Sequence, residues 1–167
     1  NLKNCSWRIT GEITVSDGDE GVIACQGGNM SGWSMWLRDN SPHFTYNCFG
    51  HDITTISGTA MTSGHHVIVV DFVYDGGFGA GGDIVMSVDG TIVTGARIER
   101  TVPLVYSMSG ETFDVGIDTG SAVGPYPHDY RCTAAISGVT LERMSEPDPA
   151  IKLLVEEGMW RAGMSTQ

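Results

Sequence analysis

The sequence predicts an all-β chain built as two antiparallel sheets packed face to face. Strand-like stretches recur every 10 to 15 residues, turn residues separate them, and no helical period appears before residue 147. The composition agrees. Of 167 residues 41% are hydrophobic, only 17% are charged and 23 are glycine, which suits a single globular core made of strands and tight turns.

The elements follow in order. "SWRITGEITVS" alternates Trp7, Ile9, Gly11, Ile13 and Val15 against Arg8, Thr10, Glu12 and Thr14, the period of a half-buried strand. "DGDEG" turns the chain into "GVIACQ", apolar on both faces, and "GGNMSG" is a loop. In "GWSMWLRD", Trp33, Met35 and Leu37 take one face and Ser34, Trp36 and Arg38 the other; "DNSP" is a turn. "HFTYNCFG" puts Phe44, Tyr46 and Cys48 on one face, and residues 52–64 form a weaker strand and a loop. "HHVIVVDFVYDG" is β-branched and aromatic, with His66, Ile68, Val70, Phe72 and Tyr74 in phase. Next comes a hairpin: Ile84, Met86 and Val88 run in, Asp89 and Gly90 make the two-residue turn, and Thr91 to Arg97 return. "ETFDVGIDTG" and "CTAAISGVTLER" supply the last two strands. Residues 1–145 thus form the sandwich and 146–167 an amphipathic helical tail. In the tail Asp148 caps, Pro149 opens the first turn, and Ile151, Leu154, Val155 and Trp160 mark an apolar stripe. The stripe either folds back on the sandwich or docks on another chain, a homodimer included.

Charge removes two partner classes. Twenty acids against nine bases give a net charge of −11 with no basic run, which argues against a nucleic-acid backbone. No stretch approaches the roughly 20 apolar residues of a membrane span, and no signal peptide is visible. The cysteines at 5, 25, 48 and 132 contain no CxxC pair, so a zinc site is not expected; the plain reading is small buried residues, with disulfides as the alternative.

Catalytic signatures are missing. The glycine-rich stretch from Val73 to Gly90 lacks the lysine of a P-loop, and a β-branched strand rather than a helix follows "GFGAGG", so phosphate binding fails on context. Its glycines suit a wide connection with φ > 0; alternatively Asp75 and Asp83 share a calcium with backbone carbonyls across the loop. Asp114 and Asp118 are four residues apart, about 13 Å on an extended strand, too far for a glycosidase pair. His65 and His66 are strand neighbours and point to opposite faces, so they cannot chelate one ion. Trp33 and Trp36 also fall on opposite faces. At most one belongs in the core, and the other is a stacking platform for sugars or is covered by the tail.

Five blocks in order, "GVIACQGGNMSGWSMWLRD", "FTYNCFG", "FVYDGGFGAGGDIVMSVDGTIVTGARIERT", "ETFDVGIDTGSAV" and "ISGVTLE", resemble the C-terminal domain of long bacterial arylsulfatases across about residues 7–143. The resemblance implies a concanavalin-like jelly roll that accompanies a catalytic domain and does not carry the sulfatase chemistry. That chemistry needs a Cys/Ser-x-Pro-x-Arg sequence and a calcium site, and no cysteine here is followed two residues later by proline. Two departures stand out: "FGAGG" lacks the basic residue expected in that loop, and the helical tail has no counterpart, as if it covered surface that once faced a catalytic partner. The sequence therefore implies a non-catalytic module without cofactor, apart from a structural calcium. It binds carbohydrate, or a sulfatase-like protein, near Trp36, Tyr46, Tyr74 and Asp75. A purely structural role, a subunit that interacts or homodimerises through the C-terminal helix, and an unrecognised glycan-active enzyme are the alternatives.

Overall fold

The computed structural model describes residues 2–107 and 113–144, together with 149, 152, 153, 156 and 157. Ten strands are present: β1 (Ser6–Val15), β2 (Gly21–Gly28), β3 (Ser31–Arg38), β4 (Ser41–Cys48), β5 (Asp52–Ser57), β6 (Gly64–Tyr74), β7 (Gly82–Val88), β8 (Thr91–Ile98), β9 (Phe113–Val115) and β10 (Ala135–Met144). They form two five-stranded antiparallel sheets. Sheet I has the order β10-β1-β6-β7-β8 and sheet II the order β5-β4-β3-β2-β9. This is the jelly-roll sandwich expected from the alternating pattern. The described residues beyond β10 are helical and exposed. Ile151, Leu154, Val155 and Trp160, expected at an interface, lie outside the described residues.

Alternation sets the core. Trp7, Ile9, Ile13, Ile68, Val70, Phe72, Ile84 and Met86 from sheet I meet Ile23, Trp33, Met35, Leu37, Phe44 and Tyr46 from sheet II, all at most 2% exposed. Trp7 stacks on Phe72 with ring centroids 5.1 Å apart and reaches across to Phe44 at 5.7 Å. On the outer face of sheet I, Arg8 donates two hydrogen bonds, 2.8 and 2.9 Å long, to the carboxylate of buried Asp71. The Asp89-Gly90 turn joins β7 to β8 with φ of 50° and 78°, the two left-handed residues of a type I′ hairpin. Asp89 also accepts from the Val67 N–H and pairs with His66.

A second, smaller apolar cluster lies outside sheet II. Val22, Cys25 and Trp36 on the sheet are covered by Val123, Tyr126 and Tyr130 from segment 116–134, which leaves β9 and returns to β10. Gly116 makes this possible: at φ 81° it turns the chain sharply after only three residues of β9. The segment is then tied to β2 by the Gly116 N–H to Ile23 O and Val22 N–H to Tyr130 O bonds, both 2.9 Å. The sequence suggested one continuous strand through 111–120; the glycine ends it at Val115.

Two expectations are corrected by this covering. Trp36 is 1% exposed and is not a stacking platform. It packs against His43 at 4.1 Å and edge-on against Tyr126 at 5.3 Å, and its Nε1–H donates to Thr45 Oγ1. Both tryptophans of β3 are therefore buried, one on each side of sheet II, because segment 116–134 forms a third layer there. The second correction concerns Asp114 and Asp118. The turn at Gly116 folds them together, so that oxygens of both lie within 4.8 Å of the Cys25 sulfur and of each other.

Candidate functional site

One end of the sandwich carries two adjoining clefts that share a side chain, Arg143. Register explains its position. Arg143 pairs with Trp7, in phase with the inward-facing Leu141 opposite Ile9, but it stands one step beyond the core at the mouth between the sheets. One cleft, of about 220 Å³, is lined by Leu2, Gln26, Phe113, Leu141 and Arg143. The other, of about 260 Å³, is lined by Arg143 together with Asn4, Cys5, Ser6, Tyr74, Gly76, Gly77 and Met144. Each suits a monosaccharide-sized group rather than the larger ligands of 300–1,000 Å³ pockets.

The walls of the second cleft are held by a closed set of hydrogen bonds. Tyr74 Oη donates to Gly77 O at 3.0 Å and accepts from the Ala80 N–H at 3.0 Å. Asn4 accepts from the Gly79 N–H at 3.0 Å and donates to Pro103 O at 2.8 Å. Ser6 Oγ accepts from the Tyr74 N–H at 3.0 Å. The loop between β6 and β7 takes the shape this network needs because Gly76, Gly77 and Gly79 have φ of 93°, 100° and 66°. The glycines thus act as the wide connection the sequence suggested.

Charge distinguishes the site. Arg8, Arg97 and Arg100 each face an aspartate, whereas Arg143 has no carboxylate partner among the described residues. It hydrogen-bonds the Cys5 thiol, which burial pushes up and the guanidinium pulls back down. Phe113, 40% exposed, offers a ring face in the first cleft. A guanidinium grips carboxylate or sulfate with two parallel hydrogen bonds, and an exposed ring stacks on a sugar's apolar face. None of the described residues lining either cleft bears a carboxylate or an imidazole.

Of the residues singled out by sequence, Tyr74 belongs to this site and Asp75 adjoins it. Tyr46 does not: it is 2% exposed inside the core, its oxygen accepts from the Val102 N–H at 3.0 Å, and burial pushes its pKa up to about 12. Asp75 and Asp83 do converge, but on Arg97, whose guanidinium pairs with both carboxylates. Asp83 lies directly opposite Arg97 in the β7–β8 register. The cation proposed for this pair is thus a side chain of the protein, and Asp75 is lowered chiefly by that hydrogen bond. Sequence reasoning missed Arg143 and Phe113. The available signal for Arg143 was a charged residue in phase with an apolar face at the end of the last strand.

Comparisons with known proteins agree with the architecture. No protein-family model matches the chain, and no curated protein matches it. Among solved structures, the mouse laminin α1 chain, domains LG4-5, aligns with a TM-score of 0.63 and 13% identity over 86% of this chain and 39% of that one. The Ruminococcus gnavus IT-sialidase CBM40 bound to α2,3 sialyllactose aligns at 0.59 and 12% identity, covering 92% of this chain and 84% of that domain. A chain of botulinum neurotoxin type C, whose cell entry is dependent upon interaction with two ganglioside molecules, aligns at 0.59 and 16% identity over 92% and 36%. The chain therefore spans about two fifths of the laminin chain and most of the CBM40 domain. At these identities the likeness concerns the fold: the chain shares the jelly-roll sandwich of laminin-G-like and carbohydrate-binding domains.

Proposed function

We propose that the chain is a non-catalytic module that binds an acidic saccharide at the paired clefts. The observation that carries this reading is Arg143, a cation lining both clefts with no carboxylate partner among the described residues of a chain of net charge −11. Arg143 takes the carboxylate or sulfate, Phe113 stacks on the ring, and Gln26, Asn4 and the Gly76–Gly77 backbone meet hydroxyls. Two neighbours support it in their own right: the CBM40 domain is bound to sialyllactose and the neurotoxin interacts with gangliosides, both acidic glycans. The resemblance to arylsulfatase C-terminal domains adds sulfated saccharides to the class and fits a domain that accompanies catalysis without performing it.

Calorimetry with sialyllactose, a sulfated disaccharide and lactose tests the reading. One of the two anionic sugars binds, lactose does not, and Arg143→Gln weakens binding at least about tenfold, the loss of a charge-assisted hydrogen bond. Arg143 is exposed, so the variant keeps its unfolding midpoint. Failure of both anionic sugars to bind, or equal binding by the variant, refutes the assignment.

A second reading rests on the C-terminal segment. Leu153 is 66% exposed there, and the apolar stripe read from the tail's sequence then joins two copies of the chain or docks it on a sulfatase-like protein. Light scattering of the full chain and of a chain ending at residue 145 decides it: an equal number of subunits in both eliminates a homodimer held by the tail.

A further inference from the structure

Two aspartates are buried among the described residues, and they are treated differently. Asp71, 2% exposed, is neutralised by Arg8. Asp118, also 2% exposed, faces no cation among the described residues; the Val123 N–H at 3.1 Å and the Tyr126 O–H at 2.7 Å donate to it. Buried charges are paired or coordinate metals, because an uncompensated one is costly. Its surroundings supply the means. Asp114 lies opposite Cys25 across β9 and β2, and Cys25 lies opposite Ser34 across β2 and β3. The three side chains therefore form a row on the outer face of sheet II, and the turn at Gly116 brings Asp118 over it. The Cys25 sulfur and an oxygen of each aspartate lie within 4.8 Å of one another.

An independent observation points into the same place. Ser34 is 0% exposed, and its hydroxyl, although beside Tyr126, has no hydrogen-bond partner of good geometry among the described residues. A buried hydroxyl without a well-placed partner, on the same face as Cys25 and Asp114, fits a cation shared among these groups.

We propose that Cys25, Asp114 and Asp118 form a zinc site, with the Ser34 hydroxyl as the fourth donor. The donor set selects the metal. A thiolate with two carboxylates suits borderline Zn²⁺, whose bonds run to about 2.3 Å for sulfur and about 2.0–2.2 Å for oxygen. Calcium and magnesium take oxygen ligands alone. On binding, the Cys25 thiol gives its proton to solvent and the sulfur lone pair bonds the metal. The contact of its sulfur with Ile117 O, 3.8 Å long, is given up. The groups already bonded to the carboxylates orient them: Thr119 on Asp114, Tyr126 and Val123 on Asp118. The ion fastens segment 116–134 to sheet II.

The test uses the full chain, stripped with a chelator and titrated with Zn²⁺ alone by calorimetry and with Co²⁺ by absorption. One equivalent binds, protons are released, and the cobalt form shows a thiolate charge-transfer band. Cys25→Ser removes that band and Cys132→Ser keeps it. Asp114→Asn, at a half-buried position, lowers zinc affinity at least about tenfold while leaving the unfolding midpoint in chelator unchanged. Absence of zinc binding overturns the proposal. So does a band that survives Cys25→Ser, or an affinity that Asp114→Asn does not move, since the metal then sits elsewhere. Should Cys25→Ser not fold, the Asp114→Asn affinity alone decides.

Discussion

Replacing Trp36 with alanine separates a tryptophan that seals a layer from one that presents a face to ligand. The indole is 1% exposed, lies between His43 and Tyr126, and donates to Thr45. A tryptophan buries about 200 Å², which at about 25 cal/mol per Å² is worth about 5 kcal/mol. Measured truncations of buried aromatics fall at about 3–5 kcal/mol because the cavity partly collapses. No orphaned group adds to that cost, since Thr45 keeps its bond to Thr55. The expected loss is therefore about 4 kcal/mol, or about 8–16 °C in Tm for a domain of this size. Trp36→Phe keeps most of the packing and loses the indole N–H bond, at about 1 kcal/mol. Urea unfolding followed by far-ultraviolet circular dichroism measures both. A platform residue behaves otherwise: its removal stays within about 0.5 kcal/mol and abolishes saccharide binding. A loss below about 1 kcal/mol for Trp36→Ala would refute the burial argument and reopen the outer face of sheet II as a ligand surface.

Two further outcomes follow from charged groups. His66 is raised, first by its hydrogen bond to Asp89, so this pair stabilises the fold fully below the unfolded histidine value near 6.5 and loses that contribution as pH rises through the higher folded value; His66→Gln then lowers stability at pH 5.5 and leaves it unchanged at pH 9, read from paired urea curves, and an equal loss at both pH values contradicts the linkage. Calcium does not raise the Tm of the native chain through Asp75 and Asp83, because Arg97 already stands between them; a calcium-dependent rise that Asp83→Asn removes would show that the ion displaces the guanidinium.

The sandwich was legible because its strands are half-buried and polarity alternates with every residue. Asp89-Gly90 fixed one hairpin outright, since two successive left-handed residues need that chemistry. What escaped depends on neighbours distant in sequence. Arg97 is 22 residues from Asp75, and the β6–β7 and β7–β8 pairings together bring them into contact. Trp36 reads as half-exposed from β3 alone, because the third layer that buries it comes from residues 116–134. An extended spacing of Asp114 and Asp118 ignored Gly116, a glycine whose positive φ reverses the chain. The clefts at Arg143 join β10, the β1 approach and the β6–β7 loop, and no local stretch reports such a junction. Tyr74 was found through its aromatic character, and the cation that gives the place its chemistry was not.

The strand order has a consequence for synthesis. β1 is bordered by β6 on one side and β10 on the other, with Ser6 opposite Met144. A nascent chain leaving the ribosome therefore carries its first strand with neither neighbour until β6 emerges, and with one bare edge until almost the whole sandwich has been made. Contacts of such long sequence separation form slowly, and an apolar strand waiting this long invites the wrong partners. A chain truncated before β10 is therefore expected to aggregate rather than to fold into a smaller product.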